Sequence, residues 1–280
     1  MIILKTVKDL TKQLEAYRDA GKTTGFVPTM GALHEGHLSL IREAKAKADI
    51  TICSIFVNPT QFNDPEDFKK YPVTTGNDIE LLLGENVDLL FLPSANEMYP
   101  KDLEKKVYPL GPLEMTLEGA HRPGHFQGVA QVIDRLVGII QPTYMVMGQK
   151  DFQQVMIVRR LLALLKSKTA LITGPTLREP SGLAKSSRNT RLTAQQLNQA
   201  AAIYQALLFG KETAGTIPIK ELIQQMEQRL LKAGFAKVDY VAFYDPTNLS
   251  PLESYTKGTP AVILVAAFLG DVRLIDNITL

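Results

Sequence analysis

From about residue 23 to about residue 175 the chain alternates short apolar runs with stretches of helical period, and few folds accept that order. TTGFVPT is followed by LSLIREAKAKA, ITICSIFVNP, a polar loop, NDIELLLGENV and DLLFLP; the alternation resumes with FQGVAQVIDRLVGII, TYMVMG and DFQQVMIVRRLLALLKS. Strand, helix and strand in repetition require crossovers, so the strands lie parallel in a doubly wound sheet with helices on both faces. In the last of these helices Phe152, Val155, Met156, Arg159 and Leu162 share one face, with a single charge at its edge. After GPTLREPSGLAKSSRNTRLT the pattern changes to two helices, AQQLNQAAAIYQALLFG and IKELIQQMEQRLLKAG, and then two strands, VDYVAFYD and AVILVAAFLG. The expected fold is α/β: a Rossmann-like, doubly wound domain over residues 1–175 and a smaller α+β domain over residues 176–280. A chain of 280 residues that is 45% hydrophobic can bury the cores of both.

Composition narrows the partners. A net charge of +2 gives no broad field for nucleic acid or a membrane surface, so any anion site is local. The lone cysteine, Cys53, excludes an internal disulfide and a cysteine-rich metal site and fits a reducing compartment. The opening MIILKTVKDLTKQLEAYRDAGK is a poor signal peptide, and no run of about 18 apolar residues occurs, so a soluble, cytoplasmic protein is expected.

PTMGALHEGH, residues 28–37, stands between the first strand of the alternation and the helix after it, at the carboxyl edge of the sheet where such folds bind ligands. A helix beginning near Gly36 and His37 would direct backbone N–H groups and its positive dipole end at the crevice, and Gly31 and Gly36 would let a bulky anion approach. Phosphate fits that description. His34 and His37 could donate hydrogen bonds to its oxygens or, protonated, neutralise charge on pentavalent phosphorus or departing pyrophosphate. The plainer alternative is that one histidine caps the helix and the other is a satisfied loop residue; a zinc site is the third. GQKDFQQ, residues 148–154, leaves a later strand at the same edge. There Lys150 can face phosphates, Asp151 suits a helix N-cap, and Gln154 can reach a hydroxyl or carboxylate. In KSSR, residues 185–188, two hydroxyls flanked by two cations form either a phosphate clamp or a solvated loop.

PTMGALHEGH, SIFVNPTQF, HRPGHFQGV, GQKDFQQ and REPSGLAKSSRN, in this order, resemble the pantothenate synthetase (pantoate–β-alanine ligase) family of the wider His-x-Gly-His nucleotidyltransferases, and VRLIDNI resembles its final strand. The resemblance implies an ATP-dependent ligase that joins pantoate to β-alanine through pantoyl adenylate, releasing AMP and pyrophosphate. It makes the first domain the ATP- and pantoate-binding one and the second a lid that excludes water from the adenylate. It assigns ATP to Met30, Gly31, Ala32, Leu33, His34, Glu35, Gly36 and His37, to Gly148, Gln149, Lys150 and Asp151, to the Leu177 backbone, and to Lys185, Ser186, Ser187 and Arg188. His37, His34 and Lys150 would be catalytic, Gln61 and Gln154 would hold pantoate, and Gln61 would also meet β-alanine. Asn58 and Arg122 would shape the pocket, with Phe62 or Val129 as an apolar wall for the gem-dimethyl carbon. Mg²⁺ would accompany ATP as co-substrate, its protein ligands unknown, with no tightly bound organic cofactor; the family also implies a homodimer.

The chain departs from the family pattern at four positions: Lys185 stands where Met is usual, Gln149 where Glu is, Ser181 where Asp is, and Val73 where YPRT is commoner than YPVT. TTGNDIE is less acidic than in many relatives, which weighs against a metal role for Asp78. Two other readings stay open at this point: nucleotidyl transfer to a phosphate acceptor, against which the paired glutamines argue, and a nucleotide-binding protein without catalysis.

Overall fold

The computed structural model describes residues 1–62, 65–104 and 106–280. The chain forms two compact units, Met1–Gly148 with Ile157–Gly174, and Gln149–Met156 with Pro175–Leu280. In order it runs through β1 (Ile2–Leu4), α1 (Val7–Asp19), β2 (Thr24–Thr29), α2 (Glu35–Lys47), β3 (Ile50–Ile55), α3 (Pro65–Lys69) and α4 (Thr75–Gly84). β4 (Leu89–Phe91), α5 (Ala95–Met98), α6 (Glu118–His121), α7 (His125–Ile140), β5 (Tyr144–Gly148), α8 (Phe152–Leu164) and β6 (Ala170–Gly174) follow. The remainder holds α9 (Ala194–Ala200), α10 (Ala202–Thr213), α11 (Ile219–Lys232), β7 (Lys237–Tyr244), β8 (Val262–Leu269) and β9 (Val272–Thr279).

The first unit is the expected parallel sheet, in the order β1-β4-β3-β2-β5-β6. From β2 the chain steps outward through β3 to β4, and it later returns to β2's other side to lay down β5 and β6. The strand order therefore reverses between β2 and β5, and the turn that leaves β2 is PTMGALHEGH. Such a reversal opens a crevice beyond the carboxyl ends of the strands. Val27, Cys53, Leu90 and Val146, from four adjacent strands, share a core with Leu38, Ile41 and Ala44 of α2. Helical spacing places those three on one face of α2, and Lys45 and Lys47 in its last turn suit the negative end of its dipole.

Both edge strands escape a periodicity reading because neither is an apolar run buried on both faces. In β1 Ile2 and Ile3 are 46% and 41% exposed, and in β6 only Gly174 is buried. The second unit packs α10 and α11 on an antiparallel sheet, β7-β8-β9. Leu207, Leu222, Met226, Leu230, Ile263 and Val265 lie in its core. The single helix expected over AQQLNQAAAIYQALLFG is two, α9 and α10, separated by Ala201, whose backbone stays helical at φ −58° and ψ −24°. α9 begins at a capping box in which Thr193 and Gln196 each accept the other's backbone N–H. Among the described residues no helix is long and apolar enough to cross a membrane.

Cys53, in the middle of β3, is completely buried, and burial pushes its thiol up to about 12. The thiolate is the reactive form, so the native protein should resist a disulfide reagent at pH 8 and take up one equivalent only on unfolding in guanidinium. Rapid labelling of native protein would show that the sheet opens at β3.

Candidate active site

The turn after β2 is organised by a carboxylate from another helix. Asp78 of α4 is 1% exposed, and its oxygens accept the N–H groups of Ala32 at 3.0 Å and Leu33 at 2.8 Å and the hydroxyl of Thr74 at 3.1 Å. Gly31, at φ +82°, passes so close that an added Cβ would meet Asp78 Oδ2 at 3.0 Å, so glycine is required by both space and conformation. The Leu33 side chain is buried in the core of the sheet and anchors the turn from below. Gly31 N–H donates to Thr29 Oγ1, and that hydroxyl donates to the Ser54 carbonyl of β3.

Most of the backbone N–H groups of this turn have partners within the protein. Ala32 and Leu33 donate to Asp78, His34 to His37 Nδ1 at 3.3 Å, Gly36 to His34 Nδ1 at 3.1 Å, and His37 to the His34 carbonyl at 2.7 Å. Of the first three N–H groups of the helix, those of Gly36 and His37 are thus engaged within the turn itself. The helix begins at Glu35 with His34 as N-cap, and His34 and His37 form a reciprocal capping box. Capping and chemistry are not alternatives here. Each Nδ1 accepts a main-chain hydrogen, so each neutral ring carries its proton on Nε2. The cap thus makes each imidazole an Nε2 donor with its tautomer fixed, and the two ring centroids stand 4.1 Å apart. Glu35 has its carboxylate on Arg42, which also binds Glu85 just beyond α4.

Gln61 sits on the 3-10 turn Pro59–Gln61, and three neighbours hold it. Its amide donates to Met30 Sδ, its Oε1 accepts from Asn58 Nδ2 at 3.1 Å, and its carbonyl accepts from His125 Nδ1 at 2.7 Å. Each end of the Gln61 amide has one valence committed and one over, which lets it hold its orientation and still meet a ligand. Asn58, with no exposed surface, spends its own amide on Gly128 O, Gln61, Thr60 and Tyr99 and therefore acts by placing Gln61. Gly128 of α7 lies against this turn, and a side chain there would collide with the backbone of Thr60 and Gln61. Because His125 donates from Nδ1 to a carbonyl, its Nε2 accepts, and Arg122 Nη1 meets it at 3.3 Å. Met30, Asn58, Gln61 and Arg122 are thus brought together around the same turn of the first unit.

In the second unit Lys150, Ser186 and Arg188 line one narrow cleft, together with Asn189 and Arg273. Lys150 lies in a 3-10 turn, Gln149–Asp151, with its ammonium 3.6 Å from Asp151, so Asp151 tempers that charge. Ser186 caps the 3-10 turn Ser187–Arg191 by accepting Arg188 N–H, which leaves its hydroxyl hydrogen to donate elsewhere. Arg273 Nε donates to Asp239 at 2.7 Å. Ser187 and Lys185 are not among the residues lining this cleft. The Lys185 ammonium donates instead to Glu179 Oε1 at 2.8 Å, and the Lys185 N–H donates to the Leu177 carbonyl at 2.9 Å. Gln154 is partly exposed, one helical turn beyond Lys150.

The sequence reading missed Asp78 as the organiser of the turn, His125 as the support of Arg122, and Arg273 and Asn277 altogether. The last stands out only once the strand's burial is known. In β9 burial alternates until Asp276 and Asn277, two adjacent polar residues each 2% exposed. A strand that buries two consecutive polar side chains is bonding to something other than its own sheet.

Comparison with known proteins connects this geometry to characterised relatives. The family model described as pantoate-beta-alanine ligase matches residues 2–279. A pantothenate synthetase of Thermotoga neapolitana is 44% identical over 282 aligned positions, covering 99% of each chain. The crystal structure of pantothenate synthetase from Thermus thermophilus superposes with a TM-score of 0.92 at 40% identity, covering 99% of each chain. A pantoate-beta-alanine ligase from Francisella tularensis, solved in complex with beta-gamma ATP and beta-alanine, superposes with a TM-score of 0.83 at 37% identity, covering 99% of this chain and 97% of the other.

Replacing Asp78 with Asn keeps the shape but turns one acceptor into a donor facing the N–H of Ala32 or Leu33. An orphaned buried donor costs about 1–3 kcal/mol. Asp78→Asn should lower the unfolding free energy in urea by about 2 kcal/mol; unchanged stability would show that the turn does not depend on the carboxylate.

Proposed function

The chain belongs to the pantoate–β-alanine ligase family, and from that premise we propose that the residues described above carry out its two half-reactions. The enzyme is an ATP-dependent ligase that condenses pantoate with β-alanine. A carboxylate oxygen of pantoate attacks the α-phosphorus of ATP; the bond to the bridging oxygen breaks, and its electron pair leaves with pyrophosphate. The β-alanine nitrogen then attacks the acyl carbon, the bond to the phosphate oxygen breaks, and AMP departs with pantothenate formed and a proton lost to base.

Attack by an anion on a polyanion is opposed by charge, and the residues assigned to ATP answer that problem. His34 and His37 donate from Nε2 to phosphate oxygens as charge builds in the transition state, while Lys150 and Arg188 offset the repulsion. Ser186 and Ser187 donate hydroxyl hydrogens, and the Leu177 backbone, Gly148, Gln149 and Asp151 hold the nucleotide. Gln61 and Gln154 grip the hydroxyls and carboxylate of pantoate, Gln61 also faces β-alanine, and Arg122 supplies positive charge to the pocket. The observation that carries the reading is the histidine pair, whose main-chain bonds to both Nδ1 atoms fix each ring as an Nε2 donor.

Mg²⁺ accompanying ATP as co-substrate would offset phosphate charge. The ammonium and guanidinium groups of the cleft would meet phosphate oxygens rather than the ion, and among the described residues no three His, Cys, Asp or Glu are grouped to hold a metal. Acyl adenylates hydrolyse readily, which is the reason for assigning residues 176–280 the role of a lid. A cytoplasmic homodimer completes the reading carried from the family.

With Mg²⁺ and ATP, the protein should exchange labelled pyrophosphate into ATP only when pantoate is present and form pantothenate only when β-alanine is added. Exchange driven by β-alanine alone, or by no carboxylate tested, would overturn the reading. His37→Ala should lose both cap and ring donor, whereas His37→Gln keeps an acceptor of the type capping boxes use at that position. Both should slow adenylation by roughly 10²-fold, while only His37→Ala loses melting temperature. Recovery of the rate in His37→Gln would reduce the histidine to a cap.

A further inference from the structure

Asn277 lies in β9, far in sequence from every residue assigned to substrate, and its side chain is spent on the phosphate-facing turn. It is 2% exposed. Both of its amide hydrogens go to main-chain carbonyls, Gln149 O and Lys150 O, each at 2.9 Å, and its Oδ1 accepts from Gln149 Nε2 at 3.3 Å. All of these groups belong to the second unit, so the contact is internal to one compact body. The next residue back, Asp276, receives two bonds from Arg178, at 2.6 and 3.0 Å, and Arg178 also donates to Gly182 O and to Asn277 O. Two consecutive residues of β9 therefore hold the turn that carries Lys150 and the segment that leads into Ser186 and Arg188.

We propose that Asn277 is a positioning residue for adenylation: it clamps the Gln149–Lys150 turn to β9 and so fixes where the Lys150 ammonium meets the phosphates of ATP. The residue type follows from the geometry. Two carbonyls and a side-chain amide hydrogen need two donors and an acceptor on one short arm, which asparagine supplies. Aspartate would set a carboxylate against both carbonyls, and alanine would leave the turn without its clamp. The inference rests on the assignment of Lys150 to phosphate binding.

A double-mutant cycle in pyrophosphate exchange tests it, with the whole enzyme, Mg²⁺, ATP and pantoate. Lys150→Ala alone should slow exchange strongly; if it does not, the assignment of Lys150 fails, independently of Asn277. Asn277→Ala alone should slow exchange by roughly tenfold or more and raise the KM for ATP, while the KM for β-alanine, read in the complete reaction, stays within about twofold of wild type. In the Lys150→Ala background, Asn277→Ala should cost less than about twofold, because a residue that acts only by placing a side chain has nothing left to place. Should Asn277→Ala not fold, Asn277→Ser, which keeps one hydroxyl donor, takes its place in the cycle. Equal losses in both backgrounds, or a wild-type exchange rate in the single variant, would overturn the proposal.

Discussion

The carboxylate of Asp78 gathers two main-chain N–H groups and a hydroxyl away from water, and the geometry of the histidine pair follows from that bond set. A buried charge is tolerated only when its lone pairs are satisfied, so Asp78 and the turn fix one another. With Ala32 and Leu33 held, the chain reaches His34 extended, at φ −144° and ψ 172°, which is the conformation of an N-cap. α2 then starts at Glu35, and the two Nδ1 atoms find the N–H groups they accept. The N–H groups of Gly36 and His37 at the start of the helix are thereby occupied within the turn, and each ring, accepting at Nδ1, keeps Nε2 as its donor.

The parallel sheet could be read from the sequence because the inner strands are buried on both faces and therefore mostly apolar, as β3 shows with Ile52, Cys53 and Ile55. The edges could not. β1 and β6 lean half into solvent, and a short half-exposed strand carries no run long enough to register. The locations of the site residues were legible for a similar reason: glycines, histidines and glutamines in connections between strands and helices are hard to explain as packing. Their partners were not, because the partners lie far off in the chain. Asp78 is 45 residues from Leu33, and Asn277 is 127 from Lys150. A carboxylate in a helix and an amide in a strand have no local pattern that distinguishes a buried organiser from a solvated side chain.

Lys185 shows how a charge read from sequence changes its meaning once its partner is known. Beside Ser186 and Ser187 it reads as a third cation for the polyphosphate. Glu179, 2.8 Å away, converts the ammonium into half of an ion pair, and a pair acts at a distance as a dipole, far more weakly than a bare charge. The two side chains are 23% and 39% exposed, so water screens them further. Lys150 and Arg273 face the cleft under similar restraint, each with a carboxylate of its own, Asp151 and Asp239.

That restraint has a chemical reason in a reaction whose first product is a polyanion. Cations that bind ground-state ATP and pyrophosphate as tightly as they bind the transition state lower KM without raising kcat, and they slow release of the leaving group. Donors held in fixed positions gain most where charge increases during reaction, since they need no reorganisation at that moment. Under the proposed assignments, this preorganisation would come in the first unit from main-chain bonds to both Nδ1 atoms, and in the second from Asn277 on the backbone of the Lys150 turn. Gln61 is held in the same way: Asn58 and Met30 take one valence at each end of its amide, and under its proposed assignment to pantoate the remaining pair would discriminate a hydroxyl from a methyl, because an unmatched buried amide is costly.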